Sequence, residues 1–312
     1  MQNKIMFFSL GGFFEKRHIL LPMLEYLRIR HEASYENVFI KKVYDSFPNM
    51  IWAGGRTNVS PEKMPLSEVE ELLVAYNRLG VGVYLTLTNH FIDKIDLSDA
   101  YCNEVLKILS QSHQNGVIVN SALLEKYVRN NYPSLKVSLS LIHFYSQPDL
   151  KSSFDSIDFS RYESVAIPPE LNNVYCDGFM EKIEYLINET CPPNCKHKSH
   201  HYKLISLANK IGDASISAGF CSRHCTDLQN HFFLVSTKER LAFMNEEYGV
   251  MRFKFGGRGS SDKAYLLLLM YYFVKKEFVQ SFLDYAGIAD LNVNDDLYGQ
   301  VFKMPYKEKM WA

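Results

Sequence analysis

The chain carries almost no net charge. Its 34 basic and 35 acidic side chains leave a formal net charge of -1 at pH 7. A protein that holds nucleic acid or an acidic membrane through charge usually shows a basic excess or a basic segment. The composition therefore predicts neither nucleic acid nor a membrane as a partner.

Long apolar runs are missing as well. The longest, "AYLLLLMYYFV" at 264–274, is shorter than the roughly 20 residues that span a bilayer. The opening "MQNKIMFFSLGGFFEKRHILL" lacks the features of a signal peptide, because glycines and charges interrupt its apolar stretch and no small-residue cleavage site follows. We therefore expect a cytoplasmic protein.

Cysteine is scarce, yet four of the six cysteines form two pairs with the same spacing. Cys191 and Cys195 enclose "PPN", and Cys221 and Cys225 enclose "SRH". In a reducing compartment such pairs are more often metal ligands or redox groups than disulfides. Two loops that each present two thiolates can surround one ion or one cluster. The spacing does not separate zinc from iron–sulfur, and ordinary thiols remain the alternative.

The other two cysteines carry no such signal. Cys102 lies within a stretch of helical periodicity, "SDAYCNEVLKILSQ", and is predicted to be a small buried apolar residue. Cys176 has no cysteine near it in the chain. Neither is predicted to bind a metal.

The sequence has no GxGxxG after its first strand-like run, which counts against a dinucleotide-binding fold. It also has no low-complexity tract, no linker and no short-period repeat, so we predict one domain over 1–312. What it has is a repeated alternation of β-rich runs and helix-period stretches. Eight runs fit this rhythm: "KIMFFSL", "NVFIKKVY", "VGVYLTLT", "GVIV", "KVSLSLI", "SVAI", "KIEYLI" and "VMRFKF". Alternating β and α segments predict a parallel sheet, and eight such units favour an α/β fold of the TIM-like (β/α)₈ barrel type.

Several local features accompany this fold prediction. The cysteine pairs form an excursion after the seventh strand, and an irregular extension is expected from about residue 280. Ser67 and Glu70 form a capping-box pattern before a helix that Gly80 would end. A long apolar helix is expected from about Asp262 to Val279.

The active site of such a barrel lies where the strands end. Polar residues that follow the eight runs should therefore meet at one mouth. They are Asn89, His90, Asn120, His143, Glu170, Asn188, Glu189, Cys191 and Arg258.

Arg258 and Lys254 are candidates for binding an anionic substrate. They share the last strand and the "GGR" turn that follows it. A planar guanidinium binds a carboxylate or phosphate through two parallel hydrogen bonds. A structural bridge at the strand–helix turn is the alternative role for Arg258.

Four further residues are candidates for contact with the substrate. Asn89, His90 and Asn120 would orient it, and His90 or Glu189 would act as acid or base. Capping of the next helix is the alternative for the two asparagines, and a local pairing role is the alternative for Glu189.

Four segments together resemble the collagenase-like peptidase (U-thirty-two) family. They are "KIEYLINETCPPNCKHKSHHY", "GFCSRHC", "RFKFGGRGSSDKAYLLLLMYYFVKK" and "VIVNSALLEKYVRNNYPSLKVSLSL", and the resemblance covers most of residues 1–280 at low similarity. It implies a TIM-like barrel whose four paired cysteines bind a [4Fe–4S] cluster. Members of the family take part in oxygen-independent hydroxylation in ubiquinone synthesis, or in hydroxylation of tRNA or rRNA bases.

Two functional hypotheses follow. The first is an iron–sulfur barrel enzyme that acts on a small organic or anionic metabolite, with a redox or accessory protein as a further partner. The second is a zinc-stabilised, non-catalytic barrel that serves as an accessory or binding protein. The near-neutral charge argues against an RNA substrate. No Ser-His-Asp or Cys-His spacing supports hydrolysis by an activated nucleophile.

Overall fold

The computed structural model describes residues 4–173, 178–192, 194–220, 234–257 and 259–288. Cys176, Cys221, Cys225 and Arg258 lie outside these residues, so the predictions made for the last three keep that status. Within the described part of the chain, none of the helices is both long enough and apolar enough to cross a bilayer.

Eight parallel strands close into a barrel, which confirms the predicted fold class. Around the barrel their order is β1-β10-β7-β6-β5-β4-β3-β2. The barrel strands are β1 (Met6–Gly11), β2 (Val38–Asp45), β3 (Gly82–Leu87), β4 (Gly116–Val119), β5 (Lys136–Leu139), β6 (Val165–Ile167), β7 (Ile183–Leu186) and β10 (Arg252–Phe255). Two short strands outside the barrel, β8 (Asn188–Glu189) and β9 (Leu234–Val235), pair antiparallel and were not predicted.

Helices follow most of the strands. They are α1 (Arg17–Ile29), α2 (Leu66–Arg78), α3 (Ala100–Leu109), α4 (Ala122–Asn131), α5 (Ile142–Tyr145), α6 (Leu150–Asp155), α7 (Lys198–Ile211), α8 (Lys238–Tyr248), α9 (Asp262–Phe273) and α10 (Val279–Tyr285). Each of the longer helices turns an apolar face to the barrel, where Leu, Val, Ile and aromatic side chains form one continuous core.

The capping box predicted for α2 is wrong. The helix begins at Leu66 with Pro65 at the N-cap, and no side chain caps it, so Ser67 already lies in the first turn. The fixed φ of proline, here -57°, positions the chain for the helix without a hydroxyl cap. Gly80 does lie just beyond the helix, with φ of 76°.

The apolar helix predicted up to Val279 ends earlier. α9 stops at Phe273, and the Lys275 N–H donates to the carbonyl of Ala33 at 2.8 Å, which turns the chain towards α1. A second helix, α10, then runs into the segment expected to be irregular. Its Phe282 ring packs 5.5 Å from the ring of Tyr26. Residues 289–312 lie outside the described chain.

The barrel interior holds three buried charges rather than only apolar side chains. Lys42 Nζ lies 2.8 Å from Glu184 Oε1, and Lys254 Nζ lies 3.7 Å from Glu184 Oε2. The hydroxyl of Ser9 also donates to Glu184 Oε1 at 2.6 Å. Burial raises the pKa of Glu184, but the two ammonium groups outweigh it and lower that pKa to about 2. Glu184 is therefore an ionised partner shared by two lysines.

Two tyrosine rings complete this charged layer. Lys254 Nζ lies 3.6 Å from the ring centroid of Tyr44, and Lys42 Nζ lies 4.6 Å from that of Tyr84. A Cβ added to Gly116 would come within 2.5 Å of the Tyr84 ring, so only glycine leaves room for it. The layer fills the middle of the barrel and holds Lys254 at the floor of the mouth.

Candidate functional site

A cavity of about 450 Å³ opens at the carboxyl ends of the barrel strands. This volume lies in the range of small-molecule sites, and the mouth of a (β/α)₈ barrel is where such sites occur. Its lining is mixed, with apolar walls interrupted by polar groups. The polar lining includes Thr86, Thr88, Ser140, Asn188, Glu189 and Lys254.

Three polar groups of this lining are buried without a hydrogen-bond partner among the described residues. They are the hydroxyls of Thr86 and Thr88 and Nδ2 of Asn188, in residues that are 5%, 1% and 0% exposed. The Asn188 amide has an assigned orientation, because its Oδ1 accepts the backbone N–H of Gly256 at 2.7 Å. Buried polar groups nearly always have partners, so these three mark a place for ligand or water atoms.

The candidates for anion binding flank the same cavity. Lys254 lines it, and its predicted role in substrate binding stays a prediction. Arg258 lies outside the described chain, but Gly257 and Gly259 on either side of it both line the cavity. The predicted anion contact of Arg258 stays a prediction.

Cys191 and Cys195 come together just beyond the cavity. Both are free, half-buried thiols, and the Cys195 side chain lies close enough to act on the Cys191 thiol. Asn194 takes a left-handed φ of 53°, which asparagine tolerates and which turns the chain back between them. Burial raises the pKa of the Cys191 thiol. A metal ion would displace the thiol protons on binding.

Two carboxylates hold the backbone of this thiol loop. Glu189 Oε1 accepts the N–H groups of Thr190 and Cys191 at 2.8 and 3.1 Å. Glu170 Oε1 accepts the N–H of Asn194 at 3.1 Å. The carboxylate of Glu189, a predicted acid or base, is thus engaged in positioning the loop, although the residue also lines the cavity.

A buried lysine joins the two carboxylates. Lys198 Nζ lies 3.7 Å from Glu189 Oε2 and 3.8 Å from Glu170 Oε1, and it donates to the Tyr145 hydroxyl at 3.0 Å. Tyr145 in turn donates to Glu170 Oε2 at 2.7 Å. Burial lowers the pKa of Lys198, but Glu189, Cys191 and Glu170 outweigh that effect and raise it. Lys198 is therefore a fixed positive charge beside the thiols.

The thiol pair fits half of a four-cysteine metal set. Among the described residues no group of three or more His, Cys, Asp or Glu side chains could hold a metal ion. The other two cysteines, Cys221 and Cys225, lie outside the described chain. Phe220, which precedes them, stacks on the ring of His201 at 5.2 Å, in the first turns of the helix that follows Cys195.

Asn89 is fully buried and does not line the cavity. Its Nδ2 donates to the carbonyls of Ile51 and Ser206 at 2.7 and 2.8 Å, and its Oδ1 accepts the N–H of Phe91 at 2.9 Å. These bonds tie the end of β3 to α7. They explain why an asparagine is needed there without a substrate.

His90 and Asn120 also lie outside the cavity lining. His90 Nδ1 is 3.4 Å from the Ser146 hydroxyl, and burial, aided by the charge of Lys203, lowers the pKa of His90. Ser121, not Asn120, caps α4 by accepting the N–H of Leu124. The predicted substrate and acid–base roles of His90 and Asn120 stay predictions without support from this geometry.

The sequence reasoning missed Thr86, Thr88, Tyr145 and Lys198. The two threonines alternate with leucines in "YLTLT", a period-two signal that places both on the inward face of β3. Lys198 lies in a stretch rich in basic and polar residues, where nothing in the sequence distinguishes a buried lysine from an exposed one.

Comparison with known proteins gives no sequence relative. No family model matches the chain, and no curated protein matches it. Among solved structures, the U32 peptidase Mk0906 is similar with 14% identity, a TM-score of 0.47, and coverage of 81% of this chain and 92% of that one.

Two other barrels show weaker likeness. A GH113 β-1,4-mannanase is 12% identical, with a TM-score of 0.38 and coverage of 93% and 100% of the two chains. A xylose isomerase domain protein from Planctomyces limnophilus is 12% identical, with a TM-score of 0.33 and coverage of 53% and 71%. The barrel itself is established by the strand order and register, independently of these likenesses.

Proposed function

We propose that the protein is an iron–sulfur barrel enzyme that binds a small anionic metabolite in the mouth cavity. The proposed ligands of a [4Fe–4S] cluster are Cys191, Cys195, Cys221 and Cys225, with zinc as the alternative occupant. One observation carries the proposal. Two free thiols meet at the edge of the mouth cavity, on a loop that the half-buried carboxylates of Glu170 and Glu189 hold in place.

The connection between thiols and cavity is short. Asn188 and Glu189 line the cavity, and Cys191 follows two residues later. Glu189 contributes to both places, because it lines the cavity and fixes the N–H of Cys191. A cluster held by four cysteines there would supply electron transfer next to the bound metabolite.

The cavity supports an anionic ligand. Lys254 contributes a positive charge at its floor, and Asn188 and Thr86 contribute groups that require partners. On the sequence prediction, Arg258 would add a planar guanidinium at the turn that borders the cavity. Glu189 and His90 remain the proposed acid–base residues, Glu189 being the one beside the cavity.

The proposed reaction is oxygen-independent hydroxylation or a related redox conversion. With water as the source of the oxygen atom, such a hydroxylation removes two electrons and two protons from the substrate, so an electron-accepting redox or accessory protein is the proposed partner. The exposed side of the thiol loop, where Asn194 faces solvent, is the natural place for that partner to approach.

The metal proposal is tested with single cysteine variants. Cys191→Ala, Cys195→Ala, Cys221→Ala and Cys225→Ala should each lower the iron and sulfide content of anaerobically prepared protein. Cys102→Ala is the matched control, because Cys102 is a buried thiol on α3 that lies apart from the loop, and it should leave the metal content unchanged. Zinc in place of iron would favour the non-catalytic barrel. Unchanged metal content in all four variants would contradict the proposed set.

A further inference from the structure

We propose that the mouth cavity selects a small hydroxylated anion, and that Asn188 determines this specificity by donating to the anionic group. The inference extends the proposed function by naming a substrate class. It rests on the cavity, however, and not on the metal, so the two can fail separately.

The Asn188 amide can only donate into the cavity. Its Oδ1 is occupied by the backbone N–H of Gly256 at 2.7 Å, and this bond fixes which end of the amide is the acceptor. The remaining Nδ2 is buried and has no partner among the described residues. An amide N–H donates and cannot accept, so the atom that it meets must be an acceptor oxygen or nitrogen.

A positive charge lies on the neighbouring strand. Lys254 is on β10, which pairs with β7 so that Lys254 is opposite Leu186, two residues before Asn188. Both Lys254 and Asn188 line the cavity. A donor amide next to a buried ammonium suits a negatively charged acceptor better than a neutral one, because hydrogen bonds to charged groups are the stronger kind.

The cavity wall formed by β3 suits a ligand that carries hydroxyl groups. Thr86 lies on β3 and Thr88 just beyond its end, and β3 is across the barrel from β7. Both hydroxyls are buried, line the cavity and have no hydrogen-bond partner within the described chain. A threonine hydroxyl both donates and accepts, which is what a ligand hydroxyl also does. The ligand thus carries its charge at the β7 side and its hydroxyls at the β3 side.

The test is calorimetric titration of the full-length protein with two matched series of probes. The first is gluconate, glucitol 6-phosphate and glucitol, and the second is glycerate, glycerol 3-phosphate and glycerol. In at least one series we expect an anion to bind at least about tenfold more tightly than its neutral analogue, because hydrogen bonds to charged groups are stronger than those to neutral groups. The tighter of the two anions identifies the group as carboxylate or phosphate.

Two variants connect the binding to the proposed residues. Asn188→Asp keeps an acceptor for Gly256 but replaces the donor with a charge, so anion binding should fall by at least about tenfold. Asn245→Asp makes the same change at a buried asparagine on α8, outside the cavity, and should leave affinity unchanged. Thr86→Val is a second, nearly isosteric variant, and it should weaken the anion of the series that binds.

The outcomes separate this inference from the metal proposal. Failure of all probes to bind the wild-type protein, equal binding of anions and neutral analogues, or undiminished binding by Asn188→Asp would overturn it. Iron measured in the same samples should be equal in wild type and Asn188→Asp. Anion selectivity in a protein that contains no metal would uphold the inference and refute the cluster.

Discussion

Glu189 accepts the backbone N–H of Cys191 at 3.1 Å, and its other carboxylate oxygen lies 3.7 Å from Lys198 Nζ. A single side chain therefore links the mouth cavity, the thiol loop and a buried positive charge. The geometry therefore supports a role for Glu189 in positioning the thiol loop, in addition to any role in proton transfer. Mutation of Glu189 can separate its function as a hydrogen-bond acceptor from the effect of its charge.

Glu189→Ala should loosen the thiol loop, whereas Glu189→Gln should largely preserve it. Alanine removes the acceptor for two backbone N–H groups, and each lost hydrogen bond costs about 1 kcal/mol of unfolding free energy. The glutamine carbonyl can still accept both. Denaturant unfolding and metal content would show the difference. Equal loss in both variants would mean that the charge, and not the acceptor geometry, holds the loop.

Lys198→Met should destabilise the protein by about 3–5 kcal/mol, because it leaves the carboxylates of Glu170 and Glu189, whose side chains are only 9% and 17% exposed, without their shared cation. Lys196→Met, at an exposed lysine two residues earlier, is the matched control and should change stability by no more than about 0.5 kcal/mol. Urea unfolding at neutral pH measures both. Similar values for the two variants would contradict the network described around Lys198.

The Glu184 carboxylate predicts acid sensitivity. Its folded pKa of about 2 lies below the ordinary value of 4.5, so the ionised form is stabilised by folding. The resulting stability is fully present above about pH 4.5 and is lost as the pH falls towards 2. Glu184→Gln should remove this pH-dependent component and, at neutral pH, leave two buried lysines without their anion, at a cost of about 3–5 kcal/mol.

Chemical unfolding at several pH values tests this prediction. The difference in unfolding free energy between wild type and Glu184→Gln should shrink between pH 4.5 and pH 2. Glu104→Gln, at an exposed carboxylate on α3, should show no such trend. A difference that does not change with pH would show that Glu184 is not ionised in the folded protein.

The barrel strands could be predicted because each is a short β-rich run followed by a polar break. Closure of the sheet could be inferred only from the number of such units. The end of α9 could not be read, because "LLLLMYYFVKKEFV" contains no glycine, proline or asparagine to mark the point where a tertiary contact at Lys275 turns the chain. The cap of α2 could not be predicted from the Ser67–Glu70 pattern, because the helix begins two residues earlier with Pro65 at the N-cap.

Residues that line the cavity because of their place along a strand could be named from the sequence. Residues whose role depends on the direction of the side chain could not. Asn188 and Glu189 were proposed from their place at a strand end, and Lys254 from its place on the last strand before the Gly-Gly-Arg turn, and all three line the cavity. Asn89 also follows a strand, but side chains alternate in direction along it, so Asn89 points away from the side to which Thr86 and Thr88 point. Its amide therefore donates to the backbone carbonyl of Ser206. Proximity to a strand end alone does not separate these cases.

The most direct test of the central proposal is metal analysis of the wild-type protein prepared without oxygen. The account predicts about four iron and four sulfide per chain, with the broad visible absorption of a [4Fe–4S] cluster. Zinc in a colourless protein would keep the cysteine set but refute the redox enzyme. Neither iron nor zinc in fresh anaerobic protein would contradict the proposed metal centre altogether.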